Sequence, residues 1–150
     1  MRTFFRVMIL LSALIVIFKF VTGAYGTDLK QLKNLYFYEA VVTSVYDGDT
    51  VTANIDLGLN IWIHNAKLRL YGIDTPEVKG PERPKGLQAR DRLRELVLNR
   101  EVTLKTYKDK TGKFGRYLAI IFISEPNKKE LININELLKH EGLAVPFMEK

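Results

Sequence analysis

Between Phe37 and Val45 aromatic and β-branched residues dominate, and over Thr50–Asp56 apolar residues fall on every second position, with Val51, Ala53, Ile55 and Leu57 on one face. A period of two marks a half-buried strand. The two stretches predict two strands joined at Asp47-Gly48, a hairpin signal because glycine readily takes positive φ. A turn is expected at residues 57–60. Residues 61–63 and 67–73 then predict a third, long and bent strand, broken at His64-Asn65. In its second half Leu68 and Leu70 face one way and Arg69 and Tyr71 the other.

Residues 78–86 are rich in Lys, Pro and Gly without periodicity, which predicts a loop. Residues 87–98 carry Ala89, Leu93, Leu96 and Val97 at helical spacing, with Arg90, Asp91, Arg94 and Glu95 turned away, and Asn99 ends the predicted helix. Glu101–Tyr107 predicts a fourth strand with Val102 and Leu104 inward, the sequence KDKTGKFG a hairpin, and residues 117–123 a fifth strand. Asn133 and Glu136 stand as a capping box, Ile132 and Leu137 as a hydrophobic staple, and Gly142 as the stop of a last helix. Five strands in meander-like order, with one helix between the third and fourth, predict a mainly β, α+β fold: a five-stranded OB-type barrel with packed helices.

The first residues follow a different pattern. Arg2 and Arg6 flank an apolar run over residues 7–18, the length of a signal-peptide core and short of the ~20 residues that a spanning helix needs. Residues 1–24 are therefore expected to be a signal peptide cleaved near Ala24, or alternatively an uncleaved anchor attached to the membrane through residues 4–21. Residues 25–35 form a linker, and residues 36–150 the folded domain. Either reading predicts a secreted or extracytoplasmic barrel.

Composition narrows the chemistry. The 150 residues suit one domain with a single core. A formal charge of +6 favours polyanionic partners, and it is uneven: residues 79–116 hold twelve Lys or Arg against five Asp or Glu. The absence of cysteine excludes a disulfide scaffold, a thiolate metal site and a cysteine nucleophile. His64 and His140 are too few for a histidine-rich metal centre and are expected to be ordinary surface residues. Rossmann, P-loop and zinc signatures are missing, so hydride transfer and NTP hydrolysis have no support.

What remains is a set of polar groups at predicted strand ends: Asp47-Gly48-Asp49-Thr50, then Arg69, then Asp74-Thr75-Pro76-Glu77. Asp49 and Asp74 could converge on one hard cation, since oxygen ligands suit calcium or magnesium. An arginine beside them could meet a phosphate with its planar, always-charged fork. That is the outline of a metal-assisted phosphodiesterase. Asp47 reads first as a turn cap, with support of the metal site as its other role.

The D-G-D-T turn, the R-x-x-x-x-D-T-P-E run and the later G-K-F-G-R together resemble the staphylococcal nuclease, or thermonuclease, family over roughly Tyr36 to Ala144. The resemblance implies that Asp49, Asp74 and the backbone carbonyl of Thr75 hold Ca2+. It implies that Arg69 and Arg116 bind the transferred phosphate, and that Glu77 is the general base or only positions the attacking water. The family's pocket tyrosines have no counterparts between Gly142 and Met148, so Tyr107 and Tyr117 are the expected stacking partners for bases. Lys85 in the loop and Lys108, Lys110 and Lys113 in the hairpin are the expected backbone contacts. The function so implied is a monomeric, calcium-dependent endonuclease acting on DNA and RNA, single strands preferred, with little base specificity, no nucleotide cofactor and 3′-phosphate products. The alternative is an OB-fold nucleic-acid-binding module with weak or no catalysis.

Overall fold

The computed structural model describes residues 36–107, 116–124 and 130–147. Strands β1 (Phe37–Val45), β2 (Thr50–Asp56) and β3 (Trp62–Leu70) form an antiparallel meander. β4 (Ile73–Asp74) follows, then helix α1 (Arg83–Val97), β5 (Glu101–Tyr107) and β6 (Tyr117–Ser124). β5 pairs with both β1 and β6, and a parallel pairing of β3 with β6 closes the ring. The result is the expected five-stranded barrel, ordered β3-β2-β1-β5-β6, with closure removing the exposed sheet edges. β7 (Leu131–Asn133) extends the sheet beyond β6, and helix α2 (Ile134–His140) follows it. β8 (Val145–Pro146) pairs with β4 in a separate two-stranded ribbon.

The core is the inward face of each strand. Val42, Val45, Val51, Ala53, Leu68, Leu70, Leu104, Ala119 and Ile121 fill the barrel, and Leu93 and Val97 from α1 and Ile134 and Leu138 from α2 join the same cluster. Asn133 caps α2 by accepting the Glu136 N–H at 3.2 Å, and Gly142, at φ +71°, lets the chain leave the helix. Asn99 ends the α1 region at φ +58°, with its N–H on the carbonyl of Val42, so the helix is pinned back to β1.

Several boundaries differ from the sequence reading. β3 is continuous through His64-Asn65: Asn65, at φ +56°, forms a bulge whose N–H is taken by the side chain of Asn54. β3 also stops at Leu70, because Gly72 at φ +78° turns the chain before β4. The loop before α1 is short. A 3-10 turn at Gly80–Glu82 leads into α1 at Arg83, because Pro84 suits the first turn of a helix, where its missing N–H costs nothing. Leu57 lies past the end of β2 and is exposed. The signal or anchor over residues 1–24, the linker, and Lys108, Lys110 and Lys113 lie outside the described residues. Among the described residues no helix is long and apolar enough to cross a membrane.

Candidate active site

The site is built where β2 begins and β3 ends. In the β2–β3 ladder Thr50 stands opposite Arg69, and one step away the Leu70 N–H donates to the Asp49 carbonyl at 2.7 Å. That bond fixes the D-G-D-T turn against the end of β3. Asp47 caps the turn, its Oδ1 accepting the Asp49 N–H at 3.0 Å. Glycine is needed here for space: Gly48 does not adopt the left-handed conformation expected of a tight hairpin, but a Cβ built on it would meet the Thr75 Oγ1 at 2.7 Å and the Ala89 Cβ at 2.8 Å.

Arg69 points off the barrel wall and joins the two aspartates. Its Nη1 donates to Asp49 Oδ1 and its Nη2 to Asp74 Oδ1, each at 2.6 Å. The turn at Tyr71-Gly72 is what brings Asp74, five residues later, back within reach of the guanidinium. Asp49 is 2 % exposed. Its Oδ1 also accepts the Thr50 hydroxyl at 3.0 Å and its Oδ2 the Thr75 N–H at 3.3 Å. Even so, burial pushes its pKa up from 3.8 to about 6. The Arg69 charge works against that rise, and the negative charges of Asp47 and Asp74 add to it.

Of the other residues singled out from sequence, Arg116 and Asp47 line one cavity of about 470 Å³ with Tyr46, Thr50, Thr52 and Lys67. This cavity adjoins the aspartate–arginine cluster through Thr50. Glu77 is exposed, just after Pro76. Lys85 is exposed in the first turn of α1. Tyr117 is 49 % exposed and, with Tyr36, Tyr38 and Tyr107, lines a groove of about 370 Å³ at the far ends of β2 and β3. Tyr107 also stacks on Tyr71, ring centroids 4.3 Å apart. His64 and His140 are both exposed.

Three residues around the site escaped the sequence reading. Asn135 is buried in α2, where it accepts the Ile121 N–H and donates to the carbonyls of Tyr71 and Ala119. It thereby ties the turn that precedes Asp74 to β6 and α2. Phe147 lies 5.8 Å from the Arg69 guanidinium carbon and bonds through its N–H to the Gly72 carbonyl. Gly86 packs on the backbone of Glu77. Gly86 falls in the stretch that reads as loop and so gave no signal, and a polar residue in a short helix gives none for Asn135.

The donor chemistry bears on a metal. Among the described residues no group of three or more His, Asp or Glu side chains is arranged to hold an ion. Two carboxylates do converge on one guanidinium, and every ligand atom they offer is a hard oxygen. Asp49, with its charge poorly compensated, is stabilised by any nearby cation. Such a set fits a calcium-type ion that completes its shell with backbone carbonyl and water oxygens.

Comparison with known proteins agrees with this geometry. Residues 67–150 match the family described as staphylococcal nuclease homologue. The chain is 31% identical over 140 residues to a thermonuclease of Staphylococcus hyicus, covering 91% of this chain and 76% of the relative. It is 30% identical over 142 residues to a thermonuclease of Staphylococcus intermedius, covering 92% and 77%. An uncharacterized protein of Methanocaldococcus jannaschii is 32% identical over 128 residues, 71% of this chain and 58% of that protein. The closed barrel and these likenesses together establish that the chain belongs to the staphylococcal nuclease homologue family and is, at that level, an OB-fold module for nucleic acid.

Proposed function

We propose that this protein is a calcium-dependent endonuclease that hydrolyses DNA and RNA with little base specificity, leaving 3′-phosphate and 5′-hydroxyl ends. The observation that carries the reading is the cluster of Asp49, Arg69 and Asp74, drawn from three chain positions into one hydrogen-bonded group beside a cavity lined by Arg116. A nucleic-acid-binding surface needs positive charge and aromatic faces, and two carboxylates beside a phosphate backbone weaken it. They become useful when they hold a cation.

In this reading Asp49, Asp74 and the Thr75 carbonyl hold the calcium, with Asp47 bracing the turn that carries Asp49. Bound calcium supplies positive charge to a phosphate oxygen and lowers the pKa of adjacent water. Arg69 gives two of its five N–H donors to the aspartates, which leaves three for phosphate oxygens. Arg116 adds a second guanidinium to the same oxygens, where negative charge grows as the P–O5′ bond breaks. Glu77 accepts a proton from the attacking water or orients it. Lys85, Lys108, Lys110 and Lys113 attract the phosphate backbone, and Tyr107 and Tyr117 offer faces to unstacked bases, which favours single strands. The protein acts as a monomer outside the cytoplasm, directed there by residues 1–24, and the mass of the mature N-terminus distinguishes a cleaved signal from an anchor through residues 4–21.

The deciding experiment incubates the purified protein with single-stranded DNA or RNA, in calcium and in chelator, with end-group analysis of the products. Cleavage in calcium alone, giving 3′-phosphates, is expected. Undiminished cleavage in chelator refutes the metal assignment, and binding without cleavage in either condition establishes the binding module instead.

A further inference from the structure

We propose that Gly86 and Gly48 are positioning residues for the reaction: by carrying no side chain, they let α1 and the D-G-D-T turn seat the Thr75–Glu77 segment directly. The inference rests on the functional reading above for the roles of Glu77 and Thr75. Its physical basis is separate.

Gly86 lies inside α1 with ordinary helical backbone, so its conformational freedom is not used, and glycine is a poor helix former. Space explains it. A Cβ built there would lie 2.3 Å from the Glu77 carbonyl oxygen, 2.5 Å from its carbonyl carbon and 2.7 Å from the Pro76 carbonyl oxygen. All three are backbone atoms, so no side chain can swing aside, and Pro76 stiffens the segment further. One turn along the same helix face, Ala89 is fully buried and meets Gly48. A Cβ on Gly48 would also press on the Thr75 side chain, at 2.7 and 2.9 Å. Helix, turn and the D-T-P-E segment thus meet with nothing between them but glycine hydrogens and one methyl group.

The consequences at the two glycines differ. Restoring ordinary contact at Gly86 means widening 2.3 Å to at least 3.4 Å, a shift of roughly 1 Å in Glu77. Displacement on that scale can cost about 100-fold in rate when it moves a reacting group. A methyl at Gly48 instead pushes Thr75, whose N–H is bonded to Asp49 Oδ2, and so disturbs the cation side of the site.

The test compares wild type, Gly86→Ala, Glu77→Gln, the double variant and Gly48→Ala. Turnover, KM, calcium half-saturation, thermal midpoint and the amide NMR shifts of Thr75 and Glu77 are measured for each. Gly86→Ala is expected to lower kcat by about 100-fold, with calcium half-saturation and KM near wild type and shifted amides at Thr75 and Glu77. In the Glu77→Gln background the same substitution should cost nothing further in kcat, because the group it misplaces is already disabled. Gly48→Ala should raise calcium half-saturation about tenfold, by analogy with losing a group that orients a ligand. Wild-type kcat in Gly86→Ala, or a full 100-fold loss repeated on top of Glu77→Gln, overturns the proposal. If Gly86→Ala does not fold, Gly48→Ala decides it: unchanged calcium response and unchanged Thr75 amide refute the seat. Should wild type prove unable to cleave, the functional reading fails, and the amide shifts alone decide whether the glycines position the segment.

Discussion

Asp49→Asn should make the protein more stable at neutral pH while abolishing the calcium-dependent activity proposed for it. Burial raises the Asp49 pKa from 3.8 to about 6, so above that value the folded chain carries a carboxylate charge it disfavours. A rise on that scale corresponds to a destabilisation on the order of a few kcal/mol once the group is charged. The side chain is almost wholly buried, so solvent screening takes little from this. The sign follows from proton binding. A folded-state pKa above the unfolded value adds stability that is complete below pH 3.8 and is lost as pH rises through about 6.

Asparagine keeps the shape and an oxygen that can accept from Arg69, but its NH2 group cannot accept the Thr75 N–H as Oδ2 does, a loss of about 1–2 kcal/mol. The net gain at pH 7.5 is then about 1–2 kcal/mol, or some ~5 °C in thermal midpoint. Urea unfolding of both proteins from pH 4 to 8 in chelator measures it. Wild type should lose stability relative to the variant between about pH 4 and 6 and run parallel to it above, and calcium should restore wild type alone. Parallel profiles between pH 4 and 6, or a variant less stable than wild type at pH 7.5, would refute the account of Asp49 as a buried charge that Arg69 only partly compensates.

Three further outcomes are expected. Arg69→Lys and Arg116→Lys keep the charge but lose the planar paired donors, so single-turnover cleavage should fall by about 100-fold or more with little change in DNA affinity. Alanine at Lys108, Lys110 or Lys113 should do the reverse, shrinking the salt dependence of binding by up to about one unit per lost contact; near-normal cleavage by the arginine variants would demote both arginines to electrostatic roles. Asn135→Ala should cost about 2–3 kcal/mol in denaturant unfolding, because it removes the side-chain partner of the Ile121 N–H and the Tyr71 carbonyl, while the Ala119 carbonyl keeps the Tyr71 N–H. A loss below about 1 kcal/mol would mean that water replaces the amide.

The barrel was legible because each strand repeats one simple rule. Alternation in β2, the aromatic and β-branched run of β1, and the inward Val102 and Leu104 of β5 carry the fold in their own side chains. The bulge at Asn65 was read as a break because one residue in the left-handed region interrupts alternation as a turn would. The early start of α1 was hidden by Pro84 and Gly86, both of which read as loop in a single sequence. Asp49 and Asp74 could be proposed as neighbours from the strand ends that the pattern located, while Arg69, inside the expected strand of residues 67–73, and Thr75 joined them only through the family resemblance. What sequence withheld was how tightly those elements meet. The Gly86–Glu77 contact, the three hydrogen bonds of Asn135 and the ring of Phe147 near Arg69 join residues distant in sequence, and no local period encodes them.

The same distinction bears on whether the site hydrolyses or merely binds. A binding face for a polyanion gains from each added cation and loses from each buried carboxylate, so nothing in binding alone accounts for Asp49. Its placement lowers stability near neutral pH, opposes the phosphate backbone and draws two donors of Arg69 toward the aspartates. A cation between Asp49 and Asp74 would reverse all three effects together: it would neutralise the buried charge, attract the phosphate, and free the two Arg69 donors that the pair holds. Features that weaken a protein without its ligand are expected where function demands them, and the ligand that would repair every one of these is a hard cation. That coincidence favours the hydrolytic reading over the binding module.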